Sequence, residues 1–293
     1  MKIHLADAYL SNFWGVEHSV AYWLKEAGID LIHSDFRKNP DIPKIPCDCL
    51  LVLKGERLTK EIIKSYPTKK RILWYGELLD PYPFDGIAKL KLNELKKNID
   101  AYDLVLYHDK SKIDYLKTIT QVKVKWLPNM AVDPRLFKKI DIPKKYDLTF
   151  VGTMNKRRNQ YIDMIKSVSM QSGYKIQIEN IWDRQTYNKA LNETKIVLNF
   201  HYSNSLNTET RIYETLGSGS FLLSEKLSMP DLFIKRKHLD TFDSPKTLIK
   251  RIIYYLKNEK KREEIAQNGH KYIMQNHNFE KRIEQLLNLI KEA

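Results

Sequence analysis

Two stretches of the chain place cations, glycines and polar side chains in a pattern suited to an anionic ligand. In FVGTMNKRRNQ (150–160) an apolar run ends at Gly152, where a tight turn is permitted, and Lys156, Arg157 and Arg158 open the helical pattern that follows. Free N–H groups and the partial positive charge of a helix N-terminus, beside a guanidinium fork, suit a phosphate or diphosphate. A βα turn carrying three solvated basic residues accounts for the same stretch equally well. Neither a Walker loop, G-x-x-x-x-G-K-[ST], nor a G-x-G-x-x-G dinucleotide turn is present. In NTETRIYETLGSGSFLLSE (207–225), Thr208 is placed to cap a short helix and Gly217 or Gly219 to end it. Arg211 and Glu214 fall on one face of that helix. The guanidinium can offset diphosphate charge while the carboxylate accepts hydrogen bonds from a ribose diol. An intrahelical ion pair, worth about 0.2–0.5 kcal/mol, is the other reading of the two.

Further polar residues stand where strands end. Glu17 and His18 follow the first strand, Glu77 follows RILWYG and His108 follows LVLY. In α/β sheets ligands collect outside the carboxyl ends of the strands, so a glutamate or histidine there is positioned to take a proton from a hydroxyl. Taken singly, each reads as readily as a solvated or structural residue. His201, ending KIVLNFH, is the matching residue of the second half, and Asn207 opens the segment before Arg211. Trp182 in IENIW offers a face for a nucleobase or a place in the core. No His, Asp or Cys cluster has metal-ligand spacing, and Cys47 and Cys49 have no third partner, so no metal and no resident cofactor are expected.

The elements that must position these residues alternate. Strand patterns at 2–8, 30–36, 49–55, 71–77 and 104–109 are separated by amphipathic stretches, clearest in VEHSVAYWLKEAG. The pattern restarts with strands at 147–152, 175–180, 195–200 and 220–225, and helices near 157–170, 184–193, 245–257, 259–275 and 279–291. A connection with three prolines, 127–147, lies between the halves. The expected fold class is α/β, with two doubly wound Rossmann-like domains facing across a cleft.

At 293 residues, 42% hydrophobic and 29% charged, the chain excludes collagen-like, low-complexity and wholly disordered readings. Its apolar runs are too short to span a bilayer, and its start carries no signal-peptide pattern, which points to a cytoplasmic protein. The formal net charge is +14, and residues 233–262 hold ten Lys and Arg against three carboxylates. That window directs attention to an anionic membrane surface or a nucleic acid, with peripheral attachment at the inner membrane face as one outcome and a plain solubilising surface as another.

The ordered segments FVGTMNKRRNQYI, IENIW, YNKALNETKIVLNFH and ETRIYETLGSGSFLLSEKLSMPDLF resemble the C-terminal domain of CgeB-like glycosyltransferases, over roughly 147–280. These are GT-B enzymes related to glycosyltransferase family 4. The resemblance implies an acceptor-side domain (1–140), a nucleotide-sugar-binding domain (141–278) and a C-terminal helix (279–293) that crosses back to the first. It further implies a nucleoside-diphosphate sugar as donor and no required metal. Glu214 falls on the family's ribose-binding glutamate, Arg211 on the arginine before it, and Arg157 or Arg158 on the basic position after the first donor-domain strand. WGVEHSVAYWLKEAG is similar to the family 4 G-G-x-E turn and helix, with Trp14 in place of the first glycine. The family's E-x7-E is broken, since Leu206 stands where the first glutamate belongs. The acceptor stays open among glycan, protein, lipid and a modified base in DNA. A non-catalytic polyanion binder on a transferase scaffold is the reading from outside the enzymes.

Overall fold

The computed structural model describes residues 1–7, 15–36, 42–55, 58–79, 86–204 and 206–293, the side chains of 86–88 excepted. Trp14 lies outside the described residues. The chain divides into two compact units, Met1–Met130 with Phe279–Ala293, and Ala131–Asn278.

In the first unit the described residues form a six-stranded sheet of β1 (Lys2–Asp7), β2 (Asp30–Asp35), β3 (Cys47–Leu53), β4 (Thr68–Tyr75), β5 (Leu104–Tyr107) and β6 (Lys123–Trp126). The order is β2-β1-β3-β4-β5-β6, and every pairing is parallel. Continuous burial along Cys49–Leu53 and Leu104–Tyr107 is what a parallel sheet requires, because helices cover both of its faces. α1 (Val16–Glu26) buries Val20 and Leu24, α2 (Lys60–Lys64), α3 (Gly86–Asn98) and α4 (Ile113–Ile119) follow it in the chain, and the last helix, α10 (Phe279–Glu292), packs against α1. Lys70 Nζ donates to the Ile290 carbonyl at 2.7 Å, satisfying an acceptor of the last turn of α10. Cys47 and Cys49 are free on β3, and burial, with Cys47 beside it, pushes the Cys49 thiol up to about 12. Cys49 is thereby an inert core residue.

The second unit is built on β7 (Tyr146–Val151), β8 (Ile176–Glu179), β9 (Thr194–Asn199), β10 (Leu222–Glu225) and β11 (Asp240–Phe242), in the order β11-β10-β9-β7-β8 and again parallel. Its helices include α5 (Lys156–Ser172), α6 (Arg184–Asn192), α7 (Thr210–Gly217), α8 (Pro245–Lys257) and α9 (Glu259–Asn276). Phe150, Leu198, Phe200, Phe221 and Tyr255 share one core cluster. The proline-containing stretch after Met130 is no free tether: Val132 and Phe137 are buried, and Val132 N donates to the His277 carbonyl at 2.9 Å. Edge strands β6 and β11 add to the strands that patterning picks out. No helix among the described residues is long and apolar enough to cross a membrane.

Gly269 on α9 is a packing requirement. A Cβ there falls 2.3 Å from the His238 carbonyl oxygen and 2.9 Å from Leu216 Cδ2. The nearer atom is backbone and cannot swing aside, so Gly269→Ala is expected to destabilise the second unit by about 1–3 kcal/mol. Chemical denaturation followed by circular dichroism reads this. An unchanged midpoint would show that α9 shifts without cost.

Candidate functional site

At the carboxyl end of β7, Gly152 has a φ of +154°, and a Cβ there would fall 2.4 Å from Arg211 Nη2. Glycine therefore lets the Arg211 guanidinium lie against the turn, 5.0 Å above the Phe150 ring. Arg211 Nη1 donates to Asn199 Oδ1 at 2.5 Å, and Asn199 is itself fixed by donating to Ser224 Oγ at 2.9 Å. Arg211 Nε is buried and has no hydrogen-bond partner among the described residues. Leaving such a donor unmade costs free energy, and an anionic oxygen is the acceptor that offsets it best.

Glu214, one turn along α7, is buried, and its Oε1 accepts from Arg184 Nη1 at 2.6 Å. The Arg211–Glu214 ion pair weighed from the sequence does not form, because each side chain is held by another element. Arg184 opens α6 and lies 5.8 Å over the Phe137 ring. Trp182 just before it is 58% exposed, which removes the core reading of that residue. α7 begins at Thr210 with Glu209 as N-cap, so Thr208 does not cap it. Asn207 uses its Oδ1 locally, accepting from Thr208 N at 2.8 Å.

The arginines after β7 spend their donors on the protein. Arg158 Nε and Nη2 donate to the Phe200 carbonyl at 3.0 and 2.7 Å, and Nη1 to the Thr153 carbonyl at 2.8 Å. Burial and the neighbouring Arg211 charge bring its pKa down to about 10. Arg157 forks onto Glu225 at 2.9 and 2.6 Å and reaches Asn204 Oδ1 at 2.8 Å. These bonds lash the ends of β9 and β10 to the first turn of α5, and of the three basic residues Lys156 alone is exposed. His201 joins the same frame, with Nε2 at 2.7 Å from the Lys226 carbonyl and Nδ1 at 3.3 Å from Glu209. Burial works against its charge, yet the Glu209 hydrogen bond and charge and the Lys226 carbonyl raise its pKa. Glu209, although desolvated, is held below the usual carboxylate range by His201, Arg211 and Arg158. Leu206, at the place of the broken motif's first glutamate, is exposed.

In the first unit the four expected residues stand near strand ends. Glu17 is buried and paired with Lys54 at 2.6 Å, and Lys54 has a φ of +70° at the end of β3. His18 is half-buried on α1. Glu77 pairs with Lys91 at 2.5 Å, and its carbonyl accepts from Tyr107 Oη at 3.1 Å. His108 is 1% exposed, with its ring against the Glu77 backbone. Burial pushes its pKa down to about 4, against the charges of Asp109 and Glu77. Asn129 Oδ1 is buried and unpartnered among the described residues, and the absence of a side chain at Gly76 admits its amide, since a Cβ there would fall 1.8 Å from Nδ2. Sequence reasoning missed Asn129, Asn199, Arg184 and Glu225. Asn129 meets Gly76, Asn199 meets Arg211 and Ser224, Arg184 meets Glu214 and Glu225 meets Arg157, each too far along the chain for local spacing to mark.

Residues 135–288 match the family model described as glycosyl transferase-like, just over half of the 293 residues. The chain belongs to this family. No curated protein sequence matches it. Sucrose-phosphate synthase from Thermosynechococcus elongatus superposes with a TM-score of 0.73 at 10% identity, over 100% of this chain and 98% of that one. An alpha-glucosyltransferase in complex with UDP and a 13-mer DNA containing a HMU base gives 0.69 at 10% identity, with 99% of each chain covered. HepE of Anabaena in complex with UDP-glucose gives 0.65 at 12%, with 100% of each covered. Likeness at these identities establishes the fold: this glycosyl transferase-like chain has two Rossmann-like units, as the strand pattern led one to expect, of the GT-B class that the resemblance implied.

Proposed function

We propose that this glycosyl transferase-like protein moves a sugar from a nucleoside diphosphate to an acceptor, with the donor held by the second unit. The observation that carries the reading is the Arg211 guanidinium, seated in the Gly152 turn with a buried unpartnered N–H, beside the Arg184–Glu214 pair. As the anomeric carbon–oxygen bond breaks, its electron pair passes to the diphosphate oxygen. Arg211 then meets the growing negative charge, which a preorganised donor in a desolvated site stabilises strongly. Glu214 accepts from the ribose hydroxyls, and Trp182 offers a stacking face for the base. Arg157, Arg158, His201 and Asn207 keep the turn in shape around them.

On the acceptor side, a histidine with a pKa of about 4 is a weak base. His108 is therefore assigned, with Asn129, to hydrogen bonding with sugar or acceptor hydroxyls. Glu77 and Glu17, held by Lys91 and Lys54, are the proton acceptors of this reading, with His18 beside Glu17. The finer placement, CgeB-like and related to family 4, rests on the ordered segments and on Glu214. Leaving-group charge rests on Arg211 and helix N-termini, so turnover is read as independent of divalent metal.

Uridine is the first base to test, because UDP or UDP-glucose is bound in solved proteins of the same fold. A modified base in DNA is the second reading for the acceptor, favoured by the +14 charge and the DNA-bound alpha-glucosyltransferase of like fold. The test is a thermal-shift panel of nucleoside diphosphates, their sugars and a duplex DNA, with and without excess EDTA. Binding to the native state at a hundredfold over Kd adds about 2.7 kcal/mol and raises the melting temperature. One nucleotide giving a shift that survives EDTA supports the reading. A shift only with duplex DNA would favour the non-catalytic polyanion binder.

A further inference from the structure

The basic window of the second unit is not uniform. Arg262 is 1% exposed and donates to the Tyr255 carbonyl, and Arg251 and Arg236 both lean on the buried Asp240 at 3.3 and 4.0 Å. Arg262 and Arg251 belong to the fold, whereas Arg236, 57% exposed, leans on Asp240 from the surface. Of the remaining cations, Lys235, Arg236 and Lys237 share one turn, and Lys250 and Lys257 share one face of α8. The turn before β11 is anchored on both sides by Phe233 and Leu239, buried, and by His238, which stacks on Tyr272 at 4.1 Å. Lys237 N and His238 N both donate to the Ile234 carbonyl, and His238 Nδ1 faces Ile234 N at 3.2 Å. This well-tied turn holds Ile234 51% exposed, followed directly by exposed Lys235, Arg236 and Lys237. Beside it, joined through Asp240, α8 shows Lys250, Tyr254 and Lys257 along one exposed face, Tyr254 being 44% exposed.

We propose that this turn and the Lys250–Lys257 face of α8 dock the protein on a bilayer of anionic phospholipid. Lysines and arginines near such a surface gain from its negative potential, an apolar side chain at the tip enters the acyl boundary, and a tyrosine suits the interface. The exposed isoleucine and tyrosine favour lipid over nucleic acid, whose phosphates need the cations alone. The position fits as well. Asp240 begins β11, whereas Gly152, His201 and Glu225 mark the carboxyl ends of parallel strands, so the docking surface lies at the opposite end of the sheet from the donor turn.

The experiment floats the full chain with vesicles of phosphatidylcholine alone or with one-third phosphatidylglycerol, at low and high salt, and measures its affinity for a duplex DNA in parallel. Wild type is expected to bind the anionic vesicles only, and less at high salt. Removing a lysine charge should weaken binding about fivefold, so Lys235→Gln, Lys237→Gln and Lys250→Gln together should weaken it about a hundredfold. Ile234→Ser alone should weaken vesicle binding and leave DNA affinity unchanged. A nucleotide thermal shift retained in every variant shows that the fold and the donor site are intact. Absence of vesicle binding by wild type, vesicle binding indifferent to Ile234→Ser and to the lysine variant, or loss of DNA binding alone in the lysine variant would each overturn the proposal.

Discussion

Replacing Arg211 with alanine is expected to lower kcat/KM for the proposed sugar-nucleotide donor by at least about a hundredfold while leaving the second unit folded. Two terms combine. A hydrogen bond to a charged group contributes about 1.5–3 kcal/mol to ground-state binding. Removing a donor aimed at developing negative charge costs about 10²–10³ in kcat. Gly152→Ala is the sharper control, since its Cβ would occupy the place of Arg211 Nη2. A flexible guanidinium can swing away, so the cost falls on donor turnover more than on packing. The unfavourable φ adds a smaller loss of stability. Glu214→Gln is expected to release Arg184 and raise KM for the nucleotide. Kinetics on the three variants check this, and wild-type turnover in Arg211→Ala would remove the residue from the site.

Mild acid is expected to unfold the first unit through two buried histidines. His4 lies on β1 between Tyr66 Oη and Ser34 Oγ, and burial together with the charge of His33 lowers its pKa to about 4. His108 is lowered to about 4 by burial. A histidine in the unfolded chain takes up its proton near pH 6.5, so the unfolded state binds more protons than the folded state between that value and about 4. Stability is complete above about pH 6.5 and is lost as pH falls, by about 3 kcal/mol per histidine near pH 4. His201 in the second unit has the opposite sign: its raised pKa stabilises below about pH 6.5 and that contribution is lost as pH rises. Urea titrations at several pH values, followed by tryptophan fluorescence, to which the first unit contributes four of the five tryptophans, read the first unit. The midpoint should fall steeply from pH 6.5 to 4, and His4→Gln with His108→Gln should flatten the slope. A flat wild-type profile would show that both histidines protonate freely in the native state.

Much of the fold was legible because parallel strands buried on both faces leave continuous apolar runs such as CLLVL and LVLY, and the helices between them carry one apolar face. β6 and β11 escaped because edge strands are short, and KVKW alternates lysine with apolar residues. Of the site, the Gly152 turn and the α7 pair of Arg211 and Glu214 were visible in local spacing. Their partners were not. Arg184 reaches Glu214 and Arg157 reaches Glu225 across 30 and 68 residues, and tertiary structure alone brings such groups together. The same limit explains Arg158, whose sequence position suits a phosphate but whose guanidinium goes to the Phe200 carbonyl. The basic window at 233–262 likewise hid Arg251 and Arg262, which belong to the interior framework.

In the function proposed above, the Arg211 turn of the second unit holds the diphosphate of a sugar nucleotide. Isothermal titration of UDP, and then of the other nucleoside diphosphates, into wild type and Arg211→Ala tests it most directly. Saturable one-to-one binding of one nucleotide to wild type is expected, with affinity reduced about tenfold to a hundredfold in the variant. Equal affinity in both proteins, or no nucleoside diphosphate bound by wild type, would contradict it.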